Sequence, residues 1–173
     1  MPTPVNLLFA LLAAVLLPSR VAQAQDYRYH PVFLYSFSKY IEWPEGTPKA
    51  EFVITVVGNE AAYEEIGKMT QKREEIKGKT IKVLKARSIR EVLPSHIVFI
   101  TNDVRFPLSD LQKYLGSKPI LIVTEHPGIA DRGTHINFVT LNEKITFELN
   151  KTLALQRGFK IATGLEMLAS KIY

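Results

Sequence analysis

THINFVTLNEKITFELN, residues 134–150, is the stretch whose reading decides the fold. Its second half alternates, with Ile145, Phe147 and Leu149 on one face and Lys144, Thr146 and Glu148 on the other. That period of two predicts a strand with one buried face. The first half places Ile136 and Phe138 on one face, with Val139 and Leu141 nearer its other end. Asn142-Glu143 lies between the two runs and predicts a hairpin with a short connection. Asn150 falls where a helix N-cap belongs, because its side-chain oxygen can accept from an otherwise unpaired backbone N–H. Just upstream, Gly128-Ile129-Ala130-Asp131-Arg132-Gly133 is a turn framed by two glycines. The stretch is thus a buried sheet segment feeding a C-terminal helical region.

Further upstream the chain supplies the rest of the sheet. Residues 52–57, FVITVV, form a nearly continuous β-branched run, as expected of a strand buried on both faces. Gly58-Asn59 closes it, and a helix is expected over about Glu60 to Met69. Thr70 to Lys79 is polar and loop-like. Strands follow at Thr80 to Ala86, His96 to Thr101 and Pro119 to Thr124, with a short helical turn at Ser88 to Leu93 and a short helix at Ser109 to Leu115 that Gly116 stops. The order β-α-β-(α)-β-α-β predicts a single α/β domain, a mostly parallel sheet flanked by helices. The C-terminal hairpin joins that sheet, and two closing helices follow, one from Lys151 to about Arg157 and one from Thr163 or Gly164 to the end. Ile161, Leu165, Leu168 and Ile172 make the apolar stripe of the second.

Asp26 to Trp43 reads as the first helix. Tyr29, Val32, Phe33, Phe37, Tyr40 and Ile41 make one stripe, and Pro31 confines the start to near Tyr29. Trp43-Pro44-Glu45-Gly46 ends it. Leu34, Tyr35 and Trp43 lie off the stripe. Either burial is wider than one stripe, or these residues form a second apolar face that meets a partner chain, a homodimer included.

At 173 residues the chain has room for one domain with a real core. Residues 1–24 are set apart from it. Val5 to Leu17 is an apolar run too short for a comfortable membrane span, and Ala22-Gln23-Ala24 gives the small-x-small pattern of a signal peptide cleaved after Ala24. An uncleaved anchor is the other reading. The expected location is the periplasm. The chain has no cysteine, which excludes disulfides, a thiol switch and Cys–metal sites. The formal net charge is +5, and loss of Arg20 with the signal leaves +4. Lys68 to Arg90 holds nine Lys or Arg against only Glu74 and Glu75. It reads as a lysine-protected edge strand and solvated helix end, or as a surface for an anionic partner. Export makes nucleic acid a poor partner.

The chain carries no Walker P-loop, no GxGxxG after a strand, no HExxH and no GxSxG elbow. His30, His96, His126 and His135 are not at metal-ligand spacing, and no metal site or cofactor is expected. In an open α/β sheet a ligand binds beyond the carboxyl ends of the strands, where the strand order reverses. Gly58, Asn59, Asn102, Asp103, Glu125 and His126 lie at those ends and are the candidate ligand residues, with ordinary polar loops as the alternative. Leu34, Tyr35 and Trp43 are the candidate partner residues. Asn137 and Asn150 are read as structural.

Taken in order, FLYSFSKYIEWP, a strand ending in VVGN, HIVFIT, PILIVT, the G-I-A-x-x-G turn, INF, and FELN leading into a helix resemble the YfiR-like family of exported bacterial proteins. The best matches are Phe37 to Pro44, Val56 to Asn59, Gly128 to Phe138 and Phe147 to Leu168, and the resemblance covers essentially the whole chain after residue 24. It implies a non-enzymatic periplasmic sensor or repressor. The partner it implies is the extracytoplasmic part of a membrane-bound diguanylate cyclase, with consequences for cyclic-di-GMP and biofilm formation, or of a sensor histidine kinase. The signal would be an unknown small molecule. The best-known members carry disulfides, so redox control does not transfer to a chain without cysteine. The alternative function is a periplasmic small-molecule binding module with no obligatory protein partner. An enzyme would rest on fold analogy alone.

Overall fold

The computed structural model describes residues 26–72 and 75–173. Residues 1–25, with the expected signal peptide, and Arg73-Glu74 in the basic segment lie outside them. Strands β2 (Glu51–Val57), β3 (Glu75–Ile76), β4 (Lys79–Ala86), β5 (Ile97–Ile100), β6 (Leu121–Thr124), β7 (Ile136–Leu141), β8 (Lys144–Leu149) and β10 (Lys171–Ile172) form one eight-stranded sheet in the order β10-β8-β7-β6-β5-β2-β4-β3. Pairing is parallel throughout, except for β3 on β4 and β7 on β8. A separate two-stranded ladder pairs β1 (Ile41–Glu42) with β9 (Lys160–Ile161). The helices are α1 (His30–Tyr40), α2 (Glu60–Gly67), α3 (Met69–Lys72), α4 (Leu108–Tyr114), α5 (Lys151–Gln156) and α6 (Thr163–Glu166).

The central strands β2, β5 and β6 are nearly continuous apolar runs because both faces of the sheet are covered there. Successive residues therefore feed two cores. Phe52, Ile54, Val56, Ile97, Phe99, Leu121 and Val123 face Leu34 and Phe37 of α1 and Ala62 and Ile66 of α2. Val57, Val98, Ile100 and Ile122 face Leu111 and Leu115 on the α4 side, with Ile89 of a single 3₁₀ turn, Ile89–Glu91. Each such side chain is worth about 1.5–3 kcal/mol of burial, and Phe37, Ile54, Phe99 and Leu111 are wholly buried.

The hairpin forms as its alternation predicts, in the register Ile136↔Leu149 to Leu141↔Lys144. Asn142 and Glu143 both have positive φ, +49° and +63°. That is the turn hand that matches the twist of a two-residue hairpin. Asn150 Oδ1 accepts from Leu153 N–H at 2.9 Å and caps α5.

Four local expectations are corrected. Helix α1 stops at Tyr40, because Ile41-Glu42 pairs with Lys160-Ile161 as strand. Its buried stripe is His30, Leu34, Phe37, Ser38 and then Ile41, while Tyr29, Val32 and Tyr40 are exposed. The helix was assigned the wrong face by about one residue. The segment Thr70 to Lys79 contains the end of α3 and the strand β3 as well as loop. The last helix does not run to the end: α6 is four residues long, and the chain returns to the sheet as β10, parallel to β8.

In the basic segment several of the described lysines and arginines are engaged locally. Lys77 and Lys79 donate to the carbonyls of Ile41 and Pro48 at 2.6 and 2.8 Å. Lys82 pairs with Glu51 at 3.0 Å, Lys85 with Glu60, and Arg90 with Asp110 at 3.1 Å. This arrangement fits a protected sheet edge.

Candidate functional site

Strand order reverses between β2 and β5, since β4 lies on one side of β2 and β5 on the other. The structure brings Gly58, Asn59 and Asp103 together at that point, but uses them for its own hydrogen bonds. Asn59 caps α2, accepting from Ala61 N–H at 2.9 Å and Ala62 N–H at 3.4 Å. Its own N–H donates to Thr101 Oγ1 at 3.0 Å. The Thr101 hydroxyl donates to Asp103. A Cβ on Gly58, where φ is +110°, would lie 2.2 Å from Thr101 Oγ1 and 2.3 Å from Val104 Cγ2. The backbone can take this path only as glycine, and the space directly over it is filled.

The other strand-end candidates sit elsewhere. Asn102 and Glu125 meet beyond β5 and β6, where Glu125 Oε1 accepts from Asn102 N–H at 2.9 Å. His126 is turned away from them: its backbone N–H donates to Asn137 Oδ1 at 3.1 Å, and its ring Nε2 lies 2.9 Å from Val104 O. Asn137 also accepts from the Thr124 hydroxyl at 2.7 Å, which bears out its structural reading.

Glu125 is the centre of a buried polar cluster. Tyr27 donates its hydroxyl to Glu125 Oε1 at 2.9 Å. His30 Nε2 stands 3.4 Å from Glu125 Oε2, with both side chains almost wholly buried. Burial, and then the Glu125 carboxylate, push the Tyr27 hydroxyl well above its ordinary range, so it remains a donor. The His30 ring is enclosed by Phe138 at 4.6 Å, Tyr27 at 4.9 Å and Phe99 at 5.3 Å between centroids. Next to the cluster is a depression of about 330 Å³ lined by Asn102, Glu125, Pro127, Phe138, Thr140 and Ile145 among others. The lining joins apolar side chains to a few polar groups, as small-molecule pockets do.

Sequence reading missed Tyr27 and His30. The signal was present in α1: His30, Leu34, Phe37 and Ile41 fall at i, i+4, i+7 and i+11, a stripe that a histidine can head only if it is buried with the rest.

The partner candidates separate in the same way. Leu34 is fully buried and cannot meet another chain, because it shares the inner stripe of α1 with Phe37. Trp43 is half-buried; its Nε1 donates to His96 O at 2.9 Å, and its ring meets Phe52 edge-on at 5.2 Å. Tyr35 is half-buried, with Lys39 over its ring at 5.8 Å. Exposed apolar side chains lie instead at Tyr29, Val32 and Tyr40 on the outer face of α1, and at Met167 and Leu168 just after α6. The two sets adjoin, since the Tyr40 ring lies against Gly164 in α6.

Among the described residues no group of three or more His, Asp or Glu could hold a metal ion, and no helix is long and apolar enough to cross a membrane. No curated protein matches the chain. A solved structure, the ABC domain in complex with L-Trp from Streptococcus pneumonia, is similar at a TM-score of 0.48 and 12% identity. The likeness covers 80% of this chain and 59% of that one, so this chain spans less than two thirds of that structure's length. The model of the YfiR/HmsC-like family matches residues 27–170, from the buried Tyr27 to the residue before β10. The chain belongs to the YfiR/HmsC-like family.

Proposed function

We propose that this chain is a periplasmic regulator that binds the extracytoplasmic part of a membrane signalling enzyme, a diguanylate cyclase or a sensor histidine kinase, and modulates its output. The family match over residues 27–170 carries this reading. The apolar ridge of Tyr29, Val32, Tyr40, Met167 and Leu168 supports it, as a surface where side-chain anchors could be covered. A signal that changes affinity for the partner by about 1–3 kcal/mol would change binding roughly 5- to 150-fold.

The test is crosslinking in intact cells, with the protein as bait and identification of what it holds. The expected result is recovery of one membrane diguanylate cyclase or histidine kinase. Val32→Glu and Met167→Glu should each cut that recovery by about tenfold or more, with unchanged thermal unfolding. Recovery of self-dimers alone, with a crosslinker that captures known periplasmic complexes, would end this reading.

A second reading, a small-molecule binding module without an obligatory partner, is favoured by the depression beside Glu125. It predicts that ligand raises the unfolding temperature of the isolated chain.

A further inference from the structure

The chain has three methionines and no cysteine. Met1 lies outside the described residues, and Met69, the first residue of α3, is 3% exposed. Met167 is 79% exposed, more than any other large apolar side chain among the described residues. The backbone that carries it is held. Met167 N–H donates to Thr163 O at 3.1 Å, Leu168 N–H to Leu165 O at 3.1 Å, Ala169 N–H to Glu166 O at 3.3 Å and Ser170 N–H to Phe147 O at 2.8 Å. Leu165, two residues earlier, is wholly buried. A change confined to the Met167 side chain therefore alters the surface and leaves the fold in place.

That surface is the apolar ridge. Leu168 is exposed beside Met167, and the exposed Tyr40 ring lies against Gly164, earlier in the same turn. Glu166, the carboxylate next to Met167 in the chain, is tied to Lys151 at 2.9 Å. A thioether is apolar and polarizable, whereas its sulfoxide is polar and chiral. We propose that Met167 is an oxidation-sensitive element of the ridge. A peroxide hands one oxygen to Met167 Sδ: the S–O bond forms as the O–O bond breaks, sulfur gives up two electrons, and the other oxygen leaves as water. The sulfoxide must shed its own hydration when the ridge is covered, which weakens the contact. This rests on the reading of the ridge as the partner surface. Burial shields Met69, and no thiol in the chain competes for the oxidant. Reduction of the sulfoxide restores the thioether, so the change is reversible.

The experiment treats the purified protein with hydrogen peroxide and follows it three ways. Peptide mass mapping should find the Met167 sulfoxide forming about tenfold faster or more than the Met69 sulfoxide. Hydrophobic-interaction chromatography should show the oxidised protein eluting earlier, with thermal unfolding unchanged, while the same treatment leaves the elution of Met167→Leu where it was. In the crosslinking assay the oxidised bait should recover about fivefold less of the membrane enzyme than the untreated bait. Met167→Leu should recover its own untreated amount after oxidation, and methionine sulfoxide reductase should return the oxidised wild-type bait to its starting level. Equal rates at the two methionines, an unmoved elution, or equal recovery by oxidised and untreated bait would each overturn the proposal. Equal recovery leaves the regulator reading standing, whereas no membrane enzyme on the untreated bait would end that reading and this one with it.

Discussion

His96 and His135 do the same job at two places in the sheet and differ in what they do with one atom. Each sits one residue before a parallel strand. Each donates its N–H to a carbonyl of the neighbouring strand, Val53 O at 2.8 Å or Ile122 O at 3.0 Å, and takes the N–H of that same residue on Nδ1, at 3.1 or 2.9 Å. The result is a two-point clip that starts β5 on β2 and β7 on β6. Around His96 the pocket is closed: the ring stacks on Phe52 at 4.3 Å, and Trp43 covers it from 5.8 Å. Lys79 Nζ lies 3.3 Å from His96 Nε2. Because Nδ1 already accepts, that nitrogen bears the ring proton, so the contact is an ammonium facing an N–H rather than a hydrogen bond. Around His135 the ring meets Phe159 edge-on at 5.1 Å, and the same nitrogen is buried with no hydrogen-bond partner. The backbone role fixes one nitrogen, and the other is left to differ, facing an ammonium in one place and lying unpaired among packed side chains in the other.

Acid should test the shared part of this device with the largest effect. In the unfolded chain both rings titrate near 6.5; in the fold His96 is pushed down to about 4 and His135 to about 3, by burial first and then by Lys79 and Arg157 respectively. The unfolded state therefore takes up protons that the folded state refuses. Stability is full above pH 6.5 and falls as pH drops from 6.5 toward those folded values, on the order of 3 kcal/mol for His96 and 5 kcal/mol for His135. Urea midpoints measured between pH 7 and pH 3.5 should show this slope, and His135→Gln should remove about half of it. A flat profile would mean that the rings are not held neutral.

A smaller effect should separate the two regions. Asn150 belongs to the His135 side alone: its N–H holds His135 O, its Oδ1 caps α5, and its Nδ2 donates to Ala130 O at 2.9 Å. Asn150→Ala should cost about 1–2 kcal/mol. Hydrogen exchange should quicken at Leu153 and around Ala130 and stay unchanged at Val53. The smallest effect, under about 1 kcal/mol, is on the charges. Lys79→Met should raise the titration of His96 and leave His135 alone, and Arg157→Gln should do the converse. Each change narrows the acid window of one ring, so each variant should lose less stability between pH 6.5 and pH 4 than its parent. If both rings moved together in either variant, the two regions would be electrostatically coupled.

Local pattern made much of the sheet readable and hid the site. The alternation of residues 144–149 is enough to place the hairpin, because period two is a property of one strand and its buried face. The closing segment fails for the opposite reason. Ile161, Leu165, Leu168 and Ile172 are spaced like a helical stripe, yet only Leu165 is buried. Ser170 N–H and Tyr173 N–H go to Phe147 O and Leu149 O at 2.8 and 2.9 Å, a pairing across more than twenty residues that no local period contains. In α1 the apolar residues outnumber one face, so the stripe of Tyr29 and Val32 competed with that of His30 and Leu34, and buried shape rather than hydrophobicity decided. The strand-end candidates lie at strand ends, but what packs over Gly58, namely Thr101 and Val104, comes from the loop after β5 and has no mark in the local sequence. Nothing in the four separate histidines marks His135, because its meaning lies in which nitrogen has a partner.

Both margins of the eight-stranded sheet are finished with strands of two residues, β3 on one side and β10 on the other. Neither covers its neighbour fully: β3 pairs only Lys79 and Thr80 of β4, and β10 only Glu148 and Leu149 of β8, so the longer strands carry ladder positions beyond their short partners. On β4 those positions carry Lys82 and Lys85, paired with Glu51 and Glu60, and charge of this kind discourages a further strand from adding on. The sheet is thus kept from growing by charge along its side rather than by brevity at its end.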